Sequence, residues 1–238
     1  MFILPSFLLT GVYLAAAIVP ALFLLRYIYR KDRVEKEPPG LLLGLLLAGV
    51  GAALASLALE GLAQVVLDSM VDEASPVYTA LTAFLVVAAV EEGTKFLLLR
   101  WVTWRRPDFD YTFDGIVYAV FTSLGFAAYE NVRYVLYFGL RVALPRALLA
   151  IPGHMGFAVF MGLFFGRARR CLNRGDLRGA KRNQLAAYLS AVFLHGVYDT
   201  CAMQGSGLAT LIFLAFVAGM YIVVIRLVRK ESENDQPI

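Results

Sequence analysis

Seven apolar stretches divide this chain, and each is long enough to cross a lipid bilayer as a helix. A helix needs about 20 apolar residues to span the hydrocarbon core. The 238 residues are 60% hydrophobic and 17% charged, whereas soluble domains are about 45–50% apolar and about 25% charged. The sequence therefore predicts an all-α, polytopic membrane bundle with about seven transmembrane helices. The predicted spans are 4–28, 41–67, 77–99, 113–138, 145–166, 183–202 and 207–228.

The basic residues indicate which way this bundle sits in the membrane. Of the 22 Lys and Arg residues, 18 lie in the last residues of spans one, three, five or seven or in the segments that follow them, and so fall on one side. Loops rich in Lys and Arg stay in the cytoplasm. We therefore expect the N-terminus outside and the C-terminus in the cytoplasm. Residues 1–230 are predicted to form a single transmembrane domain, followed by a polar cytoplasmic tail at 231–238.

Ionisable side chains lie near the middle of four predicted spans, where each costs at least about 2.5–3.5 kcal/mol to insert. Both histidines of the chain are among them. At about 1.5 Å of rise per residue, Glu91, His154 and His195 fall at mid-bilayer and Glu130 slightly outward. Residues at one level on four helices can converge on one cavity. The candidates for catalysis are Glu91, Glu92, Glu130, His154, His195 and Asp199, and Lys95, Asn131 and Phe126 are candidates for supporting roles.

The spacing of these residues puts pairs of them on shared helix faces. Residues three or four apart are neighbours on a helix, so Lys95 can reach both Glu91 and Glu92, and His195 can reach Asp199. A buried carboxylate beside an imidazole can activate water as a general base and then protonate a leaving amine. A second imidazole can stabilise an oxyanion. This set therefore favours peptide-bond hydrolysis without a Ser or Cys nucleophile.

Other interpretations of the same residues stay open at this point. The polar side chains could be interhelical hydrogen-bond partners in a non-catalytic scaffold, or a proton relay in a coupled transporter. A transporter predicts inverted repeats, and we see no repeat. Two histidines with carboxylates could also bind zinc. We expect no cofactor, because the chain has no HExxH sequence, and keep zinc as the alternative.

Four motifs resemble those of the PrsW family of membrane proteases, bacterial relatives of the CAAX prenyl endopeptidase and Abi superfamily. They are EEGTK at 91–95, FDGIVYAVFTSLGFAAYEN at 113–131, HMGFAVFMG at 154–162 and HGVYD at 195–199. The resemblance covers spans three to six, about half of the chain. It implies a multi-pass protein of the bacterial cytoplasmic membrane that cleaves peptide bonds.

The resemblance also implies roles for individual residues and a class of substrate. The paired glutamates and a downstream histidine are essential in the superfamily, which corresponds to Glu91, Glu92 and His195. Where the prenyl endopeptidases have FxxxH, this chain has Glu130 four residues after Phe126. That departure leaves open whether Glu130, His154 or neither partners the glutamate pair. The implied partners are the bilayer and a single-span membrane protein, such as an anti-sigma factor cut at its first site; nucleic acid is not expected.

Overall fold

The computed structural model describes residues 6–238, with side chains from Leu8 onward, and these residues form a bundle of long helices. The prediction of an all-α fold is confirmed. Within the described range, the β pairing is an isolated bridge between Tyr111 and Pro237. The α-helices are α1 (Ser6–Lys31), α2 (Pro39–Met70), α3 (Tyr78–Leu81), α4 (Ala89–Thr103), α5 (Asp114–Phe138), α6 (Ala143–Pro145), α7 (Ile151–Asn173), α8 (Leu177–Met203) and α9 (Gly207–Glu233).

Two π-helical segments interrupt this pattern. One, Thr82–Ala88, joins α3 to α4, and the other, Arg146–Ala150, leads from α6 into α7. π-Helical turns are rare and are frequent at functional sites. Each segment comes directly before a helix that carries candidate residues, with Glu91 in the first turn of α4 and His154 in the first turn of α7.

The predicted spans and the observed helices agree in part. Among the described residues, four helical segments are long and apolar enough to cross a membrane, and they match predicted spans one, two, five and seven. Residues 4 and 5 of predicted span one lie outside the described residues. Predicted spans three, four and six are also helical, but they contain the ionisable candidates, which lower their hydropathy. The protein is a multi-pass membrane protein, and the crossing of these three helices and the orientation of the termini stay predictions.

Large apolar side chains on the outer helices face away from the protein. Leu62 of α2 is 67% exposed, and Leu208 of α9 is 70% exposed. Apolar surface of this kind marks a membrane or protein contact. In a chain this rich in apolar helices, the hydrocarbon of the bilayer is the natural solvent for these side chains.

Helix α5 lies at the centre of the bundle. Every residue from Asp114 to Ala127 is buried, and α5 packs against α1, α2 and α7. Glycines allow these close contacts, because a Cβ at Gly162 of α7 would lie 2.4 Å from the carbonyl oxygen of Gly115. Small residues let helix backbones approach one another in membranes. This contact fixes α5 relative to α7, and so fixes Glu130 relative to His154.

The C-terminal residues fold back onto the segment before α5. The Asp235 carboxylate accepts hydrogen bonds from the backbone N–H of Phe113, at 2.9 Å, and from the Thr112 hydroxyl, at 3.0 Å. The backbone N–H of Ile238 donates to the carbonyl of Asp110 at 2.7 Å. A carboxylate at a helix N-terminus satisfies free backbone donors. Helix α9 continues to Glu233, beyond the predicted start of the tail, and the domain boundary at 230 stays a prediction.

A buried carboxyl group connects the α1–α2 linker to α5. The Tyr118 hydroxyl donates to Glu37 at 2.7 Å and also to the carbonyl of Asp108 at 3.0 Å. Burial raises the pKa of the Glu37 carboxyl from 4.5 to about 7, because the charged form loses its hydration. The folded state therefore favours the protonated form of Glu37.

Candidate active site

Three helices bring four of the sequence-predicted residues to one point. Glu91 and Glu92 come from α4, His154 from α7 and His195 from α8, and one nitrogen or oxygen of each lies within 4.8 Å of the others. All four side chains are buried. Because they are far apart in sequence, their meeting is a property of the tertiary fold.

The Lys95 ammonium lies among these four side chains. Its Nζ donates to Glu91 Oε2 at 3.1 Å and to Glu92 Oε1 at 2.7 Å, so it pairs with both carboxylates, as the helical spacing permits. It also lies 3.3 Å from His154 Nδ1 and 3.9 Å from the centre of the Phe126 ring. Lys95 is therefore the central cation of the site.

His154 is oriented by a chain of polar contacts that runs outward from the cluster. Its Nε2 lies 3.0 Å from Glu130 Oε2, and the same carboxylate forms an ion pair with Arg146 Nη2 at 2.8 Å. Arg146 Nε donates to Asn131 Oδ1, and Asn131 Nδ2 donates to the Ala17 carbonyl, both at 2.8 Å. An Nε2–H that donates to Glu130 leaves the lone pair of Nδ1 facing the cluster.

His195 has the same arrangement on the opposite side. Its Nδ1 lies 2.9 Å from Glu92 Oε1, and its Nε2 lies 3.3 Å from Asp199 Oδ2. The Phe157 ring stacks on the imidazole, with 4.7 Å between ring centres and 19° between planes. Close packing holds α8 in place, because a Cβ at Gly196 would lie 2.4 Å from the Phe84 ring in the π-helical segment.

A cavity of about 750 Å³ opens onto one side of the cluster. Its inner end is lined by Glu91, Glu130, His154, His195 and Asp199, and its outer end by aromatic and apolar residues at the ends of α5 and α8, namely Tyr137, Phe138 and Met203. Glu92 is fully buried and lies behind this lining. The two adjacent glutamates therefore occupy different environments, and Glu91 is the one that a ligand in the cavity can meet.

A model of the PrsW family, described as intramembrane metalloproteases, matches residues 37–227. The chain belongs to the PrsW family. This confirms the resemblance inferred from the four motifs, all of which lie inside the matched range. The family supports a membrane protease, and its description raises the question of a metal.

Several PrsW proteases are similar to this chain over most of its length. Protease PrsW of Geobacillus kaustophilus is 37% identical over 187 residues, which cover 78% of this chain and 77% of that protein. Protease PrsW of Oceanobacillus iheyensis is 32% identical over 221 residues, which cover 93% of this chain and 96% of that protein. Protease PrsW of Bacillus subtilis is 31% identical over 186 residues, which cover 78% of this chain and 80% of that protein. No solved structure matches.

The donor atoms of the site fit a divalent metal. Two imidazoles and two carboxylates are ligands that zinc accepts. Glu92 Oε2 is buried and has no hydrogen-bond partner among the described residues, so it has a free lone pair. Each histidine has a carboxylate, Glu130 or Asp199, on its other nitrogen. Histidines that bind metals generally donate their second N–H in this way.

The charges around the site also fit a divalent cation. Among the described residues, Lys95 contacts the Glu91 and Glu92 carboxylates, and Arg146 contacts the Glu130 carboxylate. With the carboxylates ionised and the histidines neutral, these groups would carry a net negative charge, which attracts a divalent cation.

Sequence reasoning missed Arg146 and the contact that holds α2 against α4. Arg146 lies at the start of predicted span five and is not among the sequence-predicted candidates, but its side chain lines the cavity and pairs with Glu130. Ser56 of α2 hydrogen bonds to Thr94 at 2.8 Å, and the Thr94 hydroxyl contacts the Glu91 carbonyl at 2.9 Å. Ser56 lies outside the four motifs, so only the packing of helices could find its contact with Thr94.

Proposed function

We propose that this protein is a metal-dependent intramembrane endopeptidase. The observation that carries the proposal is the convergence of Glu91, Glu92, His154 and His195, with a carboxylate on the outer nitrogen of each imidazole. Membership of a protease family supports the reaction class. The bound metal would act as a Lewis acid on the scissile carbonyl and would lower the pKa of a bound water.

The different environments of the residues suggest a division of roles. His154, His195 and Glu92 would hold the metal, because one nitrogen or oxygen of each lies within 4.8 Å of the others and each imidazole has a carboxylate on its other nitrogen. Glu91 lines the cavity, so it can take the proton of the attacking water and return it to the leaving amine. Glu130 and Asp199 would orient the two imidazoles and do not contact the scissile bond.

The shape of the cavity supports a membrane-bound polypeptide as substrate. Its outer end is lined by Tyr137, Phe138 and Met203, whose apolar surfaces suit side chains of a membrane segment. If the N-terminus is outside, as the basic residues predict, the cavity opens toward the outer surface, and cleavage at the cluster would release the external part of a single-span protein. An anti-sigma factor is the substrate we propose, on the family resemblance.

A metal-free mechanism is the second candidate, in which Glu91 activates water directly. The position of Lys95 favours it, since the ammonium already neutralises part of the charge of both glutamates. The same residues then carry the reaction, and only the requirement for metal differs.

Cleavage of a purified single-span substrate in detergent or nanodiscs tests the proposal. We expect a zinc chelator to abolish cleavage and added zinc to restore it. Glu91→Gln should lower kcat at least about 100-fold with the fold retained, since general-base catalysis contributes about 10²–10⁴-fold. The matched control is Glu73→Gln, an exposed loop glutamate. Full cleavage by rigorously metal-free enzyme would favour the second candidate, and unchanged cleavage by Glu91→Gln would refute the role of Glu91 as general base in either candidate.

A further inference from the structure

The Lys95 ammonium occupies the space in which the metal donors converge. Its Nζ lies 3.1 Å from Glu91 Oε2, 2.7 Å from Glu92 Oε1 and 3.3 Å from His154 Nδ1. A zinc ion lies about 2.0–2.2 Å from such oxygen and nitrogen ligands. If the ammonium stayed in its present place, a metal bound to these atoms would be in direct contact with a second cation.

We propose that Lys95 is an intramolecular competitor for the metal position, which has to move aside when a divalent cation binds. This inference rests on the proposed metal-dependent function. Lys95 is a positioning residue in this proposal. Its ammonium lowers the affinity of the site for the metal.

The surroundings of Lys95 give the displaced ammonium a place to go. The Phe126 ring lies directly beside it, with 3.9 Å from Nζ to the ring centre, and a cation over an aromatic face gains energy when desolvated. The lysine stem is flexible and its charge is compact. The ammonium can therefore leave the donor atoms, keep its contact with Phe126, and remain in the site.

Direct competition makes a prediction that a structural role for Lys95 does not make. If Lys95 only held the two glutamates in place, its removal would disorder the donors and weaken metal binding. If it competes, its removal frees the same donors and strengthens binding. The direction of the change in metal affinity separates the two roles without any measurement of cleavage.

The experiment is a zinc titration of the purified protein in detergent against a chromophoric chelator. We expect Lys95→Met, which keeps the apolar stem, to bind zinc at least about tenfold more tightly than wild type, equivalent to about 1.4 kcal/mol. Lys95→Arg, which keeps the charge, should bind no more tightly than wild type. The matched control is Lys181→Met, an exposed lysine on α8, which should bind as wild type does.

A second variant keeps the test valid if Lys95→Met does not fold. Lys95→Gln also removes the positive charge but keeps a polar side chain, so it should bind zinc more tightly than wild type as well. A folded Lys95→Gln variant that binds zinc no more tightly than wild type would overturn the competition.

The possible failures are distinguishable. Wild type that binds zinc while Lys95→Met binds it equally or more weakly would overturn the competition and leave the proposed function standing. Wild type and Lys95→Met that both fold but bind no zinc would overturn both.

Discussion

Replacement of Arg146 by Met tests whether the polar chain around His154 controls the site. Arg146 forms the ion pair with Glu130, which in turn contacts His154 Nε2. The arginine and glutamate side chains are only 14% and 17% exposed. Arg146→Met would therefore leave a carboxylate without its counter-ion in a poorly hydrated place.

The structure sets the size of the expected effect. Removing one partner of a buried ion pair lowers the free energy of unfolding by about 3–5 kcal/mol. Because this pair lines a cavity and is partly exposed, we expect the lower value, about 3 kcal/mol. For a chain of this length, that loss lowers the Tm by about 6–12 °C. Loss of an orienting contact behind a catalytic or metal-binding histidine lowers activity by about 10–100-fold.

A double-mutant cycle gives the decisive measurement. Thermal unfolding in detergent and kcat for substrate cleavage are compared for wild type, Arg146→Met, Glu130→Gln and the double variant. The double variant should be more stable than the sum of the single effects predicts, by at least about 1.5 kcal/mol, because neither partner is left alone. Arg141→Met, an exposed arginine close in sequence, should be near wild type. Additive effects, or wild-type kcat in Arg146→Met, would refute the reasoning.

Two further predictions concern the scaffold. Gly162→Ala should destabilise the protein by about 1–3 kcal/mol, because the new Cβ would lie 2.4 Å from the Gly115 carbonyl oxygen. The control is Gly219→Ala, whose Cβ would meet nothing within 4 Å. Equal Tm values for the two variants would argue against the tight α5–α7 contact. Glu37 has a pKa raised from 4.5 to about 7 by burial, so the folded state favours its protonated form. Its contribution to stability is complete below about pH 4.5 and is lost as the pH rises to about 7. Glu37→Gln, which keeps an acceptor for Tyr118, should therefore be more stable than wild type at pH 8 and no more stable at pH 4.5 in thermal melts; a difference that does not vary with pH would contradict this.

The sequence was sufficient for the fold class and for most of the candidate site. Apolar stretches of bilayer length predict helices regardless of their partners, because a backbone in hydrocarbon must satisfy its own hydrogen bonds. The cost of ionisable groups at membrane depth singled out the residues that the structure brings together. Helical spacing also predicted the pairing of Lys95 with both glutamates. The seven-span orientation rests on charge asymmetry alone and is still to be tested with reporter fusions.

Only the tertiary structure decided how these groups divide their roles. Glu91 and Glu92 are adjacent and chemically identical, yet one lines the cavity and the other is fully buried, because the packing of α4 against its neighbours sets which face is open. The sequence left open whether Glu130, His154 or neither partners the glutamate pair. In the structure His154 lies beside the two glutamates, and Glu130 contacts the other nitrogen of His154. Arg146 begins the π-helical segment before α7 and reaches the cavity, where it pairs with Glu130. Such choices depend on distances between helices far apart in sequence, which periodicity within a single helix does not encode.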